Sequence, residues 1–263
     1  MEMLNLADVT LHYSECGDPS GAPVVFANSL GTDFRLWNQV IARMPPGLRL
    51  IRYDKRGHGL SSCPEGSYFM GDLVGDAAGL LDHLGVKDCV FVGLSIGGMI
   101  AQGLAAERLD LVRALVLSNT GSKIGTPEMW EDRIKAIRAG GIEALEDPIL
   151  ERWFSDEYRN NNPVFSGWRN MLVRTPVNGY LGCSGAIAET DLHDSTARLR
   201  LPTLGIAGSE DGSTPPDLVR ETVDLIPGSK FHLIRGSGHL PCVENPDEYA
   251  KVLSEFFQEV GHV

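Results

Sequence analysis

The chain is short of positive charge. Its 263 residues hold 23 lysines and arginines against 35 aspartates and glutamates, a formal net charge of −12. That balance argues against nucleic acid as a partner and offers no basic face to an anionic membrane. It does not select a cationic substrate, because one local arginine outweighs a distant acidic surface. No apolar run approaches the roughly 18 residues needed to span a bilayer. The opening MEMLNLADVT lacks the basic start and long apolar core of a secretory signal. Cysteine is scarce and odd in number: Cys16, Cys63, Cys89, Cys183 and Cys242, with no C-x-x-C pair. A disulfide framework and a structural zinc site are both disfavoured, and free thiols in a reducing cytoplasm are expected. There is no dinucleotide fingerprint, no internal repeat and no low-complexity segment. What is present is ordinary for a soluble globular chain, 43% hydrophobic and 22% charged, and long enough for one large α/β domain.

Short apolar runs recur along the chain: Val24–Ala27, Leu50–Tyr53, Cys89–Val92, Ala114–Leu117, Thr203–Ala207 and Phe231–Ile234. Runs of this length without strict alternation suit a parallel sheet covered on both faces. Leu11–Tyr13 suggests antiparallel edge strands. Between the runs, Phe69, Leu73, Ala77, Leu80 and Leu84 trace one helical stripe. Tyr249, Val252, Leu253, Phe256, Phe257 and Val260 trace another, opened by Asn245 as N-cap and Pro246 at the first helical position. The pattern predicts a mostly parallel, doubly wound α/β sheet. From Ser122 to Arg198 no strand is evident, which is too long for one crossover. Helices are expected near Met129–Arg138, Ile142–Phe154, Phe165–Val173 and Tyr180–Glu189. The expected organisation is a core from 1–121 and 199–263, interrupted by a helical cap at 122–198. The cap carries Trp130, Trp153 and Trp168 with several arginines, among them Arg133, Arg138, Arg152, Arg159, Arg169 and Arg174. An insertion between strand ends commonly builds a site, while any single aromatic or arginine there is more often core or solvated surface.

Chemistry concentrates in four loops. Gly93-Leu94-Ser95-Ile96-Gly97 lies where a buried strand gives way to helix formers. A glycine turn is the bland alternative. A G-x-S-x-G nucleophile elbow is the sharper one, with Ser95 strained outward above the sheet. A serine needs a base, and the base an orienting acid. His239, in Gly236-Ser237-Gly238-His239 after the last strand, sits where open α/β sheets place ligand chemistry. His58, in Asp54-Lys55-Arg56-Gly57-His58-Gly59, reads as part of a charge-organised loop, and the remaining histidines read as surface or strand residues. The acid should lie between them in sequence, and Glu210-Asp211 supplies two carboxylates. Asp211 is preferred, Glu210 is the alternative, and Thr214-Pro215 is expected to cap the next helix. The Ile96 N–H offers one oxyanion donor; the Leu30 N–H, in Asn28-Ser29-Leu30-Gly31 after an early strand, offers the second.

These motifs resemble the α/β-hydrolases that carry caps: esterases, lactonases, haloperoxidases and C–C hydrolases. The segments NSLGTDFRLW, RYDKRGHGLSS, GLSIGGMIAQGLA and VLSNTGSKIGTPEMW are similar to those of the 3-oxoadipate enol-lactonases in particular. Most other relatives have His-Gly where this chain has Asn28-Ser29. The resemblance implies an α/β-hydrolase fold and hydrolysis of a small anionic enol-lactone in aromatic catabolism. Ser95 would be nucleophile and His239 base, with no metal and no organic cofactor. A cap arginine would receive the substrate carboxylate. Arg133, one helical turn from Trp130, is the first candidate and Trp130 a neighbouring contact; Arg138, Arg169 and Arg174 follow. A broad carboxylesterase, a perhydrolase and a slow-turnover receptor are the rivals. The sequence is silent on oligomeric state.

Overall fold

The computed structural model describes all 263 residues. Its eight strands are β1 (Glu2–Asn5), β2 (Thr10–Gly17), β3 (Ala22–Ala27), β4 (Leu48–Tyr53), β5 (Cys89–Leu94), β6 (Val112–Ser118), β7 (Thr203–Gly208) and β8 (Lys230–Ile234). They form one sheet in the order β1-β2-β4-β3-β5-β6-β7-β8. β1 and β2 make the antiparallel edge, and every pair from β4 to β8 is parallel. β5 and β7 are buried at every residue, which is why their sequences show unbroken apolar runs. The chain passes from β3 to β4 on one side, then returns to place β5 on the other. At such a reversal the loops leaving β3 and β5 diverge to opposite faces and open a crevice at the strand ends. The loops after Ala27 and Leu94 therefore face each other there.

The helices are α1 (Asn38–Ile41), α2 (Met70–His83), α3 (Ile96–Glu107), α4 (Pro127–Gly140), α5 (Glu146–Trp153), α6 (Asp156–Asn161), α7 (Phe165–Val173), α8 (Val177–Ala188), α9 (His193–Thr196), α10 (Pro216–Asp224), α11 (Pro241–Glu244) and α12 (Pro246–Glu259). None is long and apolar enough to cross a membrane. Six of them, α4 to α9, fall between β6 and β7. Thr126 caps α4 by accepting from the Met129 N–H, with Pro127 behind it. Three local expectations need correction. Phe69 does not belong to the buried stripe of α2: it precedes the helix and is largely exposed. Asn245 opens α12 in position only, because its side-chain amide is taken by Ser237 Oγ. Thr214 does not cap α10, which starts at Pro216; its hydroxyl is used elsewhere, as described below.

One buried ion pair ties the sheet to α2. Arg56, just past β4, grips Asp76 through two bonds, Nε to Oδ2 at 2.7 Å and Nη2 to Oδ1 at 2.8 Å. Asp8 adds a partner from the edge strands. Both members of the pair are nearly solvent-free, so removing Asp76 leaves the buried guanidinium with only the exposed Asp8 at longer range. Asp76→Ala should cost about 3–5 kcal/mol in urea denaturation. The double replacement Arg56→Met with Asp76→Leu should recover most of it. A single-variant loss under about 1 kcal/mol would mean that water reaches Arg56 and that the pair is surface-like.

Candidate active site

The turn after β5 is strained. Ser95 adopts φ 59° and ψ −119°, a left-handed conformation that a side chain normally avoids. Two glycines make the turn possible. A Cβ on Gly93 would sit 2.2 Å from the Gly97 carbonyl oxygen, and one on Gly97 would sit 2.2 Å from the Ala27 carbonyl oxygen. Strand β3, β5 and α3 thus approach backbone to backbone. The strain is held by hydrogen bonds on both sides: the Ser95 N–H donates to Ser118 O at 3.0 Å, and Thr120 Oγ1 donates to Ser95 O at 2.6 Å. Ile96 opens α3, so its N–H belongs to the first turn, where no intrahelical acceptor exists.

Asp211 and His239 meet above the ends of β7 and β8. Asp211 Oδ2 lies 2.9 Å from His239 Nδ1. The same oxygen accepts from Asn119 Nδ2 at 2.8 Å and Thr214 Oγ1 at 2.7 Å, while Oδ1 accepts from the Ser213 and Thr214 amides. Burial by itself would raise the Asp211 pKa. The His239 charge and hydrogen bond, with those of Asn119 and Thr214, outweigh it and hold the carboxyl below the ordinary value. An ionised carboxylate only accepts, so the Nδ1 proton faces Asp211 and Nε2 is left to act as a base. Glu210 is exposed and points out of this network. Asn119 and Thr214 were not singled out from the sequence. Asn119 has φ 45°, which no sequence pattern announces, and a Thr-Pro pair reads as a helix start.

The loop after β3 forms the opposite wall. The Leu30 N–H makes no hydrogen bond within the protein, while its neighbours are fixed. The Gly31 N–H donates to His58 Nε2 at 3.0 Å. His58 Nδ1 faces the Arg56 carbonyl at 3.2 Å, which places its proton there and leaves Nε2 as acceptor. Burial, then the charge of Lys55, pushes the His58 pKa well below its usual value, so the imidazole is neutral. Lys55 Nζ, also buried, donates to Ser29 O at 2.6 Å; burial lowers its pKa to about 8. The motif read as a charge-organised loop therefore works at a distance, by shaping the turn that presents Leu30.

A cavity of about 90 Å³ joins these walls. Ser95, His239, Leu30, Trp130 and Arg133 all border it, together with Ser29, Thr214, Trp153 and Arg152. Arg133 lies over the rings of Trp130 and Tyr180, 5.3 and 5.5 Å from their centroids, and donates to the Tyr180 hydroxyl. Its Nε is buried without a partner. Arg152 bonds only the Pro148 carbonyl. Burial, then the neighbouring Arg133 charge, lowers the Arg152 pKa. Neither guanidinium has a carboxylate partner. The fallback arginines lie elsewhere: Arg169 is paired with Glu146 at 2.5 Å, Arg138 borders a separate surface hollow, and Arg174 lines a 480 Å³ hollow beside α7 that contains none of Ser95, Asp211 or His239. Arg152, the second cation of the site, stood out in the sequence only as one of the cap arginines. Trp168 is also remote, bonded to the Tyr158 hydroxyl. No group of three or more His, Cys, Asp or Glu is placed to hold a metal ion.

The family model for the alpha/beta hydrolases matches residues 24–252. The chain belongs to the alpha/beta hydrolase family. Among curated relatives, this hydrolase is 32% identical to 3-oxoadipate enol-lactonase 2 of Acinetobacter baylyi over 249 residues, covering 94% of this chain and 93% of that one. Among solved structures, it superposes on the enol-lactonase of Burkholderia xenovorans with a TM-score of 0.94 at 33% identity, covering 98% and 100% of the two chains. A malate-bound thermophilic esterase of Thermogutta terrifontis gives a TM-score of 0.93 at 27% identity over all of both chains. In this hydrolase, Asp211→Asn should lower kcat by orders of magnitude, because an amide cannot stabilise an imidazolium on His239. Glu210→Gln should stay within about threefold of the parent enzyme, as expected for an exposed residue outside the network. Steady-state kinetics on any hydrolysed ester reads both, and the reverse ranking would move the acid to Glu210.

Proposed function

We propose that this hydrolase opens 3-oxoadipate enol-lactone to 3-oxoadipate through an acyl-enzyme on Ser95. The observation that carries the substrate class is the pair of carboxylate-free arginines, Arg133 and Arg152, bordering the cavity that holds Ser95 and His239. Two half-buried cations side by side repel each other and lack counter-charge. A substrate carboxylate relieves both deficits through charge-assisted bonds. The enol-lactonases among the relatives support the same substrate.

In the proposed sequence, Ser95 Oγ attacks the lactone carbonyl while His239 Nε2 takes its proton. The developing oxyanion receives the Leu30 and Ile96 N–H groups. Collapse breaks the ring C–O bond and expels an enolate, a better leaving group than an ordinary alkoxide, which ends as the ketone. Water then attacks the acyl-enzyme with His239 again as base, and Ser95 is regenerated. Asp211 remains ionised throughout and steadies the imidazolium. The resting structure has no hydrogen bond between Ser95 Oγ and His239, a common state of serine hydrolases without substrate.

Ser95→Ala should lose roughly 10⁴–10⁶-fold in kcat while keeping the fold. More than about a tenth of the activity remaining would overturn the covalent route. Arg133→Ala and Arg152→Ala should each lower kcat/KM for the enol-lactone by roughly 10–150-fold, with a much smaller loss on a neutral aryl ester. Equal losses on both substrates would show that the arginines only brace the cap. A clear preference of the parent enzyme for the aryl ester would make it a general esterase.

A further inference from the structure

The hydroxyl within hydrogen-bond reach of the free nitrogen of His239 is not that of the nucleophile. Ser29 Oγ lies 3.4 Å from His239 Nε2, although 210 residues separate them in the chain. Ser29 is almost fully buried and borders the same cavity as Ser95. Its backbone is firmly held: the carbonyl accepts from Lys55 Nζ at 2.6 Å and from Thr32 Oγ1 at 2.8 Å. The following residue, Leu30, presents the free N–H of the oxyanion loop. Nε2 therefore meets a hydroxyl of the oxyanion loop across the cavity that Ser95 also borders. An oxyanion hole built from backbone N–H groups requires no side chain at position 29.

We propose that Ser29 is a catalytic residue whose hydroxyl carries the proton between His239 Nε2 and the leaving oxygen of the substrate. This rests on the Ser95 acyl-enzyme proposed above. A hydroxyl both donates and accepts, so it can stand between a protonated imidazole and a developing anion. In acylation, Nε2 first takes the Ser95 proton. As the C–O bond breaks, Nε2–H passes its proton to Ser29 Oγ, and the proton already on Ser29 goes to the leaving oxygen. Ser29 is a hydroxyl again and His239 is neutral. In deacylation the direction reverses. Water gives a proton to Ser29 Oγ while its oxygen bonds the acyl carbon, and Ser29 passes its own proton to Nε2. Nε2 returns that proton to Ser95 Oγ as the acyl bond breaks.

Ring opening gives this relay a purpose that simple ester hydrolysis lacks. The oxygen expelled from a lactone stays tethered to the acyl group. It remains beside the acyl carbon at a high effective concentration and can close the ring again. A proton delivered as the bond breaks removes the nucleophile that would reverse the step.

The test is a leaving-group series: acyclic esters of one acyl group, running from p-nitrophenol to a simple alcohol, beside the enol-lactone. kcat/KM is the readout, because it reports acylation. For Ser29→Ala, the p-nitrophenyl ester should change by no more than about twofold, since its leaving group needs no proton. The loss should grow along the series to about 10–100-fold for the alkyl ester, with the enol-lactone, whose enolate leaves better than an alkoxide, falling in between. Ser29→Thr, which keeps the hydroxyl, should recover most of it. Burst titration of Ser95 with the p-nitrophenyl ester checks that the nucleophile is intact in each variant. An equal loss on every leaving group would overturn the relay in favour of a packing or oxyanion role, and no loss anywhere would make Ser29 a bystander. Absence of enol-lactone turnover in the parent enzyme would overturn the substrate assignment alone, with the ester series still deciding Ser29. Turnover by Ser95→Ala would overturn the acyl-enzyme and the relay together.

Discussion

The carboxylate of Asp211 is the constraint on which the site depends. It is buried, and burying an ionised group is costly unless its lone pairs are filled. Here they are filled from several places at once: Asn119 beyond β6, Ser213 and Thr214 beyond β7, and His239 beyond β8. Three neighbouring strand ends are thereby held in fixed relation. The strained turn at Ser95 is bonded to the same region through Ser118 and Thr120, which flank Asn119. Thr214 contributes twice, to the carboxylate and, at 3.2 Å, to the ring nitrogen of His239. The loop geometry follows from satisfying one charge.

A chain at −12 meets a proposed substrate of the same sign. Long-range attraction is then unavailable, and recognition falls to the short range, where Arg133 and Arg152 stand unneutralised among aromatic rings. Such a pair is unfavourable in the empty protein, since each guanidinium is partly desolvated beside the other. In the proposed reaction that unfavourable resting state is released on binding, and the discrimination for an anion would come from a deficit built into the free protein. This is consistent with the general exchange between stability and activity at working sites. The more negative surface affects solubility without deciding what enters the cavity.

Much of the fold was legible because the sheet is parallel and covered on both faces. β3 to β8 each appear in the sequence as an apolar run, and the antiparallel edge showed at Leu11–Tyr13. β1 was not legible: four residues with one buried side chain leave too little pattern. The serine, histidine and aspartate could be placed because each lies in a loop whose residues have a local reason to be there. Their supports could not. Asn119 and Thr214 act through contacts across the sheet ends, and His58 reaches Gly31 over 27 residues, so no spacing encodes them. In the cap, Arg133 was reached through its helical relation to Trp130. Arg152 sits on α5, a separate helix, and nothing local distinguishes it from Arg169, which a carboxylate neutralises.

The end of α5 is hydrogen-bonded to the core loops, although Phe154 also packs on Tyr158, Phe165 and Trp168 of the cap. The Arg152 carbonyl accepts from the Gly212 N–H and the Trp153 carbonyl from the Leu240 N–H, each at 3.3 Å. Ser155 donates from its amide and its hydroxyl to Glu244, which also accepts from the Gly238 N–H at 2.7 Å. The boundary drawn by hydrogen bonds therefore cuts through the helical segment between β6 and β7, and residues 152–155 fall on the side of the loops that carry Asp211 and His239. A cap exchanged between relatives at the strand ends would carry this seam away with it. An exchange that leaves 152–155 in place would alter the roof of the cavity and spare the hydrogen bonds that join it to the loops of Asp211 and His239.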